Sequence, residues 1–165
     1  MTLDDAVGRI CAQWREQRPD LDVSPVDVIG RVRRLGALTN QLTDAAFAEV
    51  GVSRMEFEVL SALRRAGGGL RPSQLTKETL SSGAATTKRL ARLEAEGLIS
   101  RTASRRDRRE VDVHLTERGR ELIDSLFPEQ LERERQMLDP LDADERQQLA
   151  ALLTKLLGSL DGMMR

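Results

Sequence analysis

Between Ser53 and Leu115 the chain passes from short helical repeats, each cut by glycine, into strict two-residue alternation. Ser53 and Glu56 form a capping box ahead of Met55, Phe57, Val59, Leu60 and Leu63, and Gly67, Gly68 and Gly69 end that helix. Leu70 leads through Arg71 and Pro72 into a second short helix that includes Leu75. A turn at Leu80 and Ser81 brings in Ser82, the cap of a third helix from about Gly83 to Glu96, which Gly97 terminates. Leu98 to Thr102 then reads as a strand, Ser104 to Arg109 as a basic loop, and Val111, Val113 and Leu115 alternate with Asp112 and His114. Period two on both sides of a loop predicts a β-hairpin. Three helices followed by a hairpin predict a winged helix-turn-helix.

The flanks carry longer helical stripes. Leu3, Val7, Ile10, Cys11 and Trp14 recur at steps of three and four until Pro19. Ser24 and Pro25 predict an N-cap with proline at the first helical position, opening a helix through Val28, Val32, Leu35, Leu38, Leu42, Ala45 and Ala46 to Gly51. After the hairpin, Thr116 and Glu117 open a helix with Leu122, Ile123, Leu126, Leu131 and Leu138, expected to bend or break at Pro128. Asp142 and Glu145 cap a last helix carrying Leu149, Leu152, Leu153, Leu156, Leu157 and Leu160. These stripes exceed what a small central domain can cover. The expected architecture is mainly α with a small β-hairpin wing, a winged helix-turn-helix over residues 51–118 between dimerisation helices over 1–50 and 119–165.

Charge is segregated in the same way. Residues 51–120 hold 15 Lys and Arg against 9 Asp and Glu, whereas the remainder holds 11 against 18, so a net charge of -1 conceals a basic centre. A basic centre predicts a polyanionic partner, the alternative being that basic and acidic faces pair within the fold. With 39% hydrophobic, 32% charged and 2% aromatic residues, the composition is that of a mainly helical chain. One cysteine closes no internal disulfide, and no apolar run is long enough to span a bilayer or serve as a secretion signal, which gives the expectation of a soluble, cytoplasmic protein without membrane contact.

On the third helix, at about 100° per residue, Gly83, Thr86, Leu90, Leu93 and Gly97 fall on an inner side. Ser81, Ala84, Ala85, Lys88 and Arg92 face away, with Arg89 on the flank. Small residues at the helix start permit close approach to a major groove, and hydroxyls and cations reach phosphates and base edges. The alternative is a solvated basic face. The loop SRRDRREV crowds Arg105, Arg106, Arg108 and Arg109 around Asp107. Four guanidinium groups gain little from one carboxylate, so a phosphate backbone supplies the missing anion, with one arginine reaching a minor groove. A charged, soluble turn is the alternative.

The stretch from Val52 to Leu122, above all SSGAATTKRLARLEAEGLISR and DRREVDVHLTERG, resembles the MarR (multiple antibiotic resistance regulator) family of bacterial transcriptional regulators. The resemblance implies a homodimer with interlocked terminal helices that binds a pseudopalindromic, inverted-repeat operator in double-stranded DNA and usually represses transcription. It also implies release of DNA when a small aromatic or anionic effector binds between the dimerisation helices and the winged helix. By position, the family's recognition-helix role falls on Ser81, Ser82, Thr87, Lys88 and Arg89, and its wing Asp-x-Arg on Asp107 and Arg109.

Trp14 and the run RPDLDVSP resemble the urate-responsive branch, in which an added N-terminal helix carries a tryptophan beside the ligand pocket. That branch has aspartate where this chain has Glu58 and tyrosine where it has Leu70. Trp14, Arg15, Arg18 and Glu58 are therefore the candidate ligand residues, plain packing of Trp14 on its apolar stripe being the alternative. Cys11 matches in type the single reactive cysteine of peroxide-sensing members, but it sits on the apolar stripe of a chain with no tyrosine, and inert burial is expected. His114 alternates outward on the second strand without partners at metal-ligand spacing, so no metal site and no cofactor are expected.

No phosphate-binding glycine loop, nucleophile elbow or metal-ligand pair appears, so an enzyme is not expected. The rival reading is a winged-helix adaptor that binds protein and no specific DNA. A salt series on random duplex separates the two, because only a phosphate binder shows a steep logarithmic slope.

Overall fold

A computed structural model describes residues 5–103 and 110–163. In chain order it contains α1 (Ala6–Gln17), α2 (Ser24–Glu49), α3 (Arg54–Ala66), α4 (Pro72–Glu78), α5 (Gly83–Ala95), β1 (Ile99–Ala103), β2 (Val111–Leu115), α6 (Glu117–Met137) and α7 (Ala143–Met163). The two strands pair antiparallel, Ile99 opposite Leu115 and Ala103 opposite Val111. Leu70 adds a single bridge to Val113, donating at 3.0 Å and accepting at 2.9 Å, so the hairpin is anchored to the segment between α3 and α4.

The capping signals fold as expected at most ends. Glu56 accepts from the Ser53 amide and hydroxyl, both at 2.8 Å, and Ser53 Oγ accepts from the Glu56 amide in return. Gly67 and Gly97 close α3 and α5 with φ of +64° and +69°, a region that costs a Cβ-bearing residue strain. The Asp142–Glu145 box opens α7.

Two expectations at helix ends are corrected. Val23, not Ser24, occupies the cap position of α2, and the Asp22 carboxylate accepts from both the amide and the hydroxyl of Ser24. A carboxylate with two oxygens serves both donors at once. Helix α6 runs uninterrupted through Pro128, which removes one intrahelical donor without ending the helix, because Leu126 and Gln130 on either side are buried.

One core joins Phe47 of α2 to Phe57, Leu60 and Leu63 of α3, Leu75 of α4, Leu90 and Leu93 of α5, Val113 of β2, and Ile123 and Leu126 of α6. Phe57 stacks between Phe47, with ring centroids 4.6 Å apart, and Phe127 at 6.5 Å. The end of the long helix α2 is thereby built into the same core as the winged helix. A small satellite cluster of Val7, Cys11 and Val23 seats α1 on the start of α2, where Gly30 lets Val7 approach so closely that a Cβ would lie 2.8 Å from its Cγ1.

The remaining stripes are not covered by the described residues of this chain. Ile10 and Trp14 are exposed, Trp14 by 49%, so among the described residues of the first stripe only Val7 and Cys11 are packed, because α1 meets α2 along one narrow line. Val28, Val32, Leu35, Leu38 and Leu42 stay exposed on α2, and α7 buries no residue at all. Among the described residues no helix is long and apolar enough to cross a membrane.

Candidate nucleic-acid interface

Helix α5 is held at its start by hydroxyls. Ser82 caps it by accepting from the Ala85 amide, and Thr86, fully buried, lies 3.2 Å from Thr76 of α4, oxygen to oxygen, while donating to the Ser82 carbonyl. Thr86, Leu90 and Leu93 face inward as expected, but Gly83 and Gly97 are exposed. Those two stand at the helix ends, where the inner face has already left the core. The exposed surface begins with Ser82, Gly83 and Ala84, continues through Thr87 and Lys88, and ends at Arg92.

The cations of this surface have different surroundings. Lys88 is exposed and has no partner among the described residues. Arg89 is half-buried and donates to Ser81 Oγ at 2.9 Å, so the flanking arginine and the turn serine form one unit. Thr87 is exposed but donates to the Gly83 carbonyl at 2.9 Å. Arg92 turns back into the protein: its Nε donates to Glu96 at 3.0 Å, its Nη2 to the Gly51 carbonyl at 3.0 Å, and its Nη1 lies 3.4 Å from the buried Glu56 carboxylate. The hydrogen bond that Arg92 donates to Glu96, with the Glu56 charge adding to it, holds the guanidinium above its ordinary range.

Arg105, Arg106, Asp107, Arg108 and Arg109 lie outside the described residues. The strand pairs Thr102–Asp112 and Ala103–Val111 bracket them. At the base of this segment Glu110 pairs with Arg71 at 2.7 Å, tying the hairpin to the start of α4. Sequence reasoning missed this contact, since Arg71 next to Pro72 signals only a helix start. The turn expected at Leu80 forms between α4 and α5, and Leu80 is 89% exposed there at φ +48°. A leucine at that place in the turn carried no sign of a left-handed backbone.

The candidate ligand residues are not brought together in this chain. Arg15 pairs with Asp27 at 3.2 Å, and Arg18 holds Asp20 with two bonds of 2.8 and 2.7 Å. Glu58 instead lines a cavity of about 320 Å³ between α2, α3 and α6, with Thr39, Asn40, Arg54, Gln130 and Glu134. Trp14 is not among its lining residues. His114, expected to point outward, is half-buried with its ring against Gly69, where a Cβ would lie 2.4 Å from the imidazole.

Comparison with known proteins places these features in context. Residues 50–110 match the MarR family model. The HTH-type transcriptional regulator PecS of Dickeya dadantii is 38% identical over 152 residues, covering 91% of this chain and 92% of that protein. The HTH-type transcriptional repressor NicR of Pseudomonas putida is 31% identical over 143 residues, covering 84% of this chain and 90% of that protein. Among solved structures, the MepR–DNA complex of S. aureus superposes with a TM-score of 0.71 at 25% identity, over 78% of this chain and 93% of that one.

Proposed function

Because the chain belongs to the MarR family of transcriptional regulators, we propose that it represses transcription by binding an inverted-repeat operator in duplex DNA as a homodimer. One observation carries this reading: the surface of α5 that begins with Ser82, Gly83 and Ala84 is small, polar and uncovered, and it leads to an exposed Lys88. Such a helix can approach base edges closely, with Lys88 and the Arg89–Ser81 unit reaching further. Wing arginines 105, 106, 108 and 109 would contribute the sequence-independent part through phosphates or a minor groove. Two-fold symmetry sets the recognition helices about one DNA turn apart, roughly 34–36 Å.

The homodimer reading is supported by the uncovered stripes of α2 and α7, since fully burying one leucine stabilises by about 1.5–3 kcal/mol. An effector would act from the cavity beside Glu58, because that space touches both α2 and α6 of the terminal helices and α3 of the winged helix. Its lining carries Glu58 and Glu134, while Arg54 lies 3.8 Å from Asp44. This balance favours a small aromatic effector bearing hydrogen-bond donors over an anion.

Binding of the full chain to random and to selected duplexes across a salt series tests the reading. Steep slopes on both, with tighter binding to the selected inverted repeat, are expected, and Arg109→Ala should flatten the slope by about 0.9 if it neutralises one phosphate. Salt-independent binding would leave the adaptor reading standing instead.

A further inference from the structure

The basic surface of α5 contains one arginine that the fold uses for something else. Arg92 ties the end of its own helix to the turn between α2 and α3, whose Gly51 lies 41 residues away in sequence. Its Nη2 donates to the carbonyl of Gly51, the turn that ends α2, and its Nη1 faces Glu56 in the first turn of α3. Glu96 at the end of α5 takes its Nε. Glu56 is itself buried and fixed, because its other oxygen accepts from the Ser53 amide and hydroxyl. A guanidinium presents its donors in a rigid fork, so contact with one oxygen at the end of α5 and two on the α2–α3 turn fixes the angle between the two as well as the distance.

We propose that Arg92 is a positioning residue that sets the angle of the recognition helix α5 against the end of α2, and thereby the register of one recognition helix to the other across the dimer. The proposal rests on the DNA-binding reading given above. Helix α2 carries an uncovered apolar stripe, proposed above to face a second copy, and the turn that ends it accepts a hydrogen bond from Arg92 of α5 at the Gly51 carbonyl. Gly83, the first residue of α5, lies nine residues before Arg92, so a small rotation of α5 at that point displaces the first turn by more than it displaces Arg92.

The test compares the full-length parent with Glu56→Gln and Arg92→Met. Glutamine keeps the capping box and removes the charge facing Arg92, while methionine keeps the stem and removes the guanidinium. The probes are an inverted-repeat duplex selected from a random pool by the parent, the same duplex with one base pair inserted or removed at its centre, and a random duplex, each across a potassium chloride series. Both variants should lose about tenfold in the ratio of selected to random affinity, the scale of one misread base pair. Their preference for the parental spacing should flatten, and the salt slopes should match the parent's.

An Arg92 that instead contacts DNA predicts a slope reduced by about 0.9 per lost phosphate in Arg92→Met and parental behaviour in Glu56→Gln, and that pattern overturns the proposal. So does an unchanged ratio and spacing preference in both variants. Equal weakening at every spacing marks a stability effect alone and counts against it too. If Arg92→Met does not fold, Glu56→Gln decides by the same criteria. A parent without steep salt dependence defeats the DNA-binding reading itself, which these variants cannot mimic.

Discussion

Replacing Gly119 with alanine should cost far more stability than its position near a helix start suggests. Gly119 is the third residue of α6, where its amide donates to the capping Thr116 Oγ1 at 3.1 Å. A Cβ there would lie 1.9 Å from the Leu98 carbonyl oxygen and 3.3 Å from Leu115 Cδ2, against an ordinary carbon–oxygen contact of about 3.3 Å. The helix start and the chain at Leu98 must therefore separate by more than one ångström. That movement stretches the bond from the Thr116 amide to Leu98, now 3.1 Å, and the one from the Thr116 hydroxyl to Gly97, now 2.7 Å. Losing one such bond costs about 1 kcal/mol and forced repacking of a buried segment about 1–3 kcal/mol, so Gly119→Ala should destabilise by about 3 kcal/mol. Gly158→Ala is the matched control: nothing lies within 4 Å of its Cβ position, and about 100° per residue sets it opposite the leucine stripe of α7. It should gain about 0.5–1 kcal/mol from reduced backbone freedom in the unfolded chain. Urea unfolding of all three proteins at one fixed protein concentration gives the comparison. A Gly119→Ala protein within 1 kcal/mol of the parent would refute the steric argument.

Acid stability should depend on the pair that ties α3 to α6. Arg64 donates to Asp124 at 2.7 and 3.2 Å and holds its carboxyl below the ordinary range. A folded pKa below the unfolded one gives stability that is present above the unfolded value, near 3.9, and lost as pH falls through the folded one. Asp124→Asn should therefore flatten the acid limb of urea midpoint against pH; an unchanged limb would show that the pair contributes nothing there. For Cys11, burial pushes the thiol up and the neighbouring Asp27 carboxylate raises it further, so a thiol reagent should leave the folded protein unmodified and react fully in urea. Rapid labelling under native conditions would contradict this.

Much of the winged helix is legible because its signals are local. The Ser53–Glu56 box, the glycines at 67 and 97 and the alternation from Val111 to Leu115 each act within a few residues, and each appears where spacing puts it. What periodicity misreads depends on distant chain. Trp14 and Ile10 keep the helical spacing of Val7 and Cys11, yet only the latter two are buried. The bridge from Leu70 to Val113 is one residue long and leaves no repeat to read. Arg92 shares its helix face with Lys88, and a helical wheel cannot tell a long side chain that reaches outward from one that folds back onto Gly51 and Glu56. The spacing of about 100° per residue placed both on one surface for that reason.

Helix α7, over 21 residues, finds no buried seat among the described residues of its own chain. If a second copy provides that seat, as proposed, completing the fold is a bimolecular event, and its yield at low abundance rises with the square of the amount of chain made. A cell holding few copies would keep most of them as incomplete protomers open to proteolysis, and a modest rise in expression would produce a disproportionate rise in DNA-competent protein. Occupancy of an operator would then switch on over a narrower range of expression than simple one-to-one binding allows.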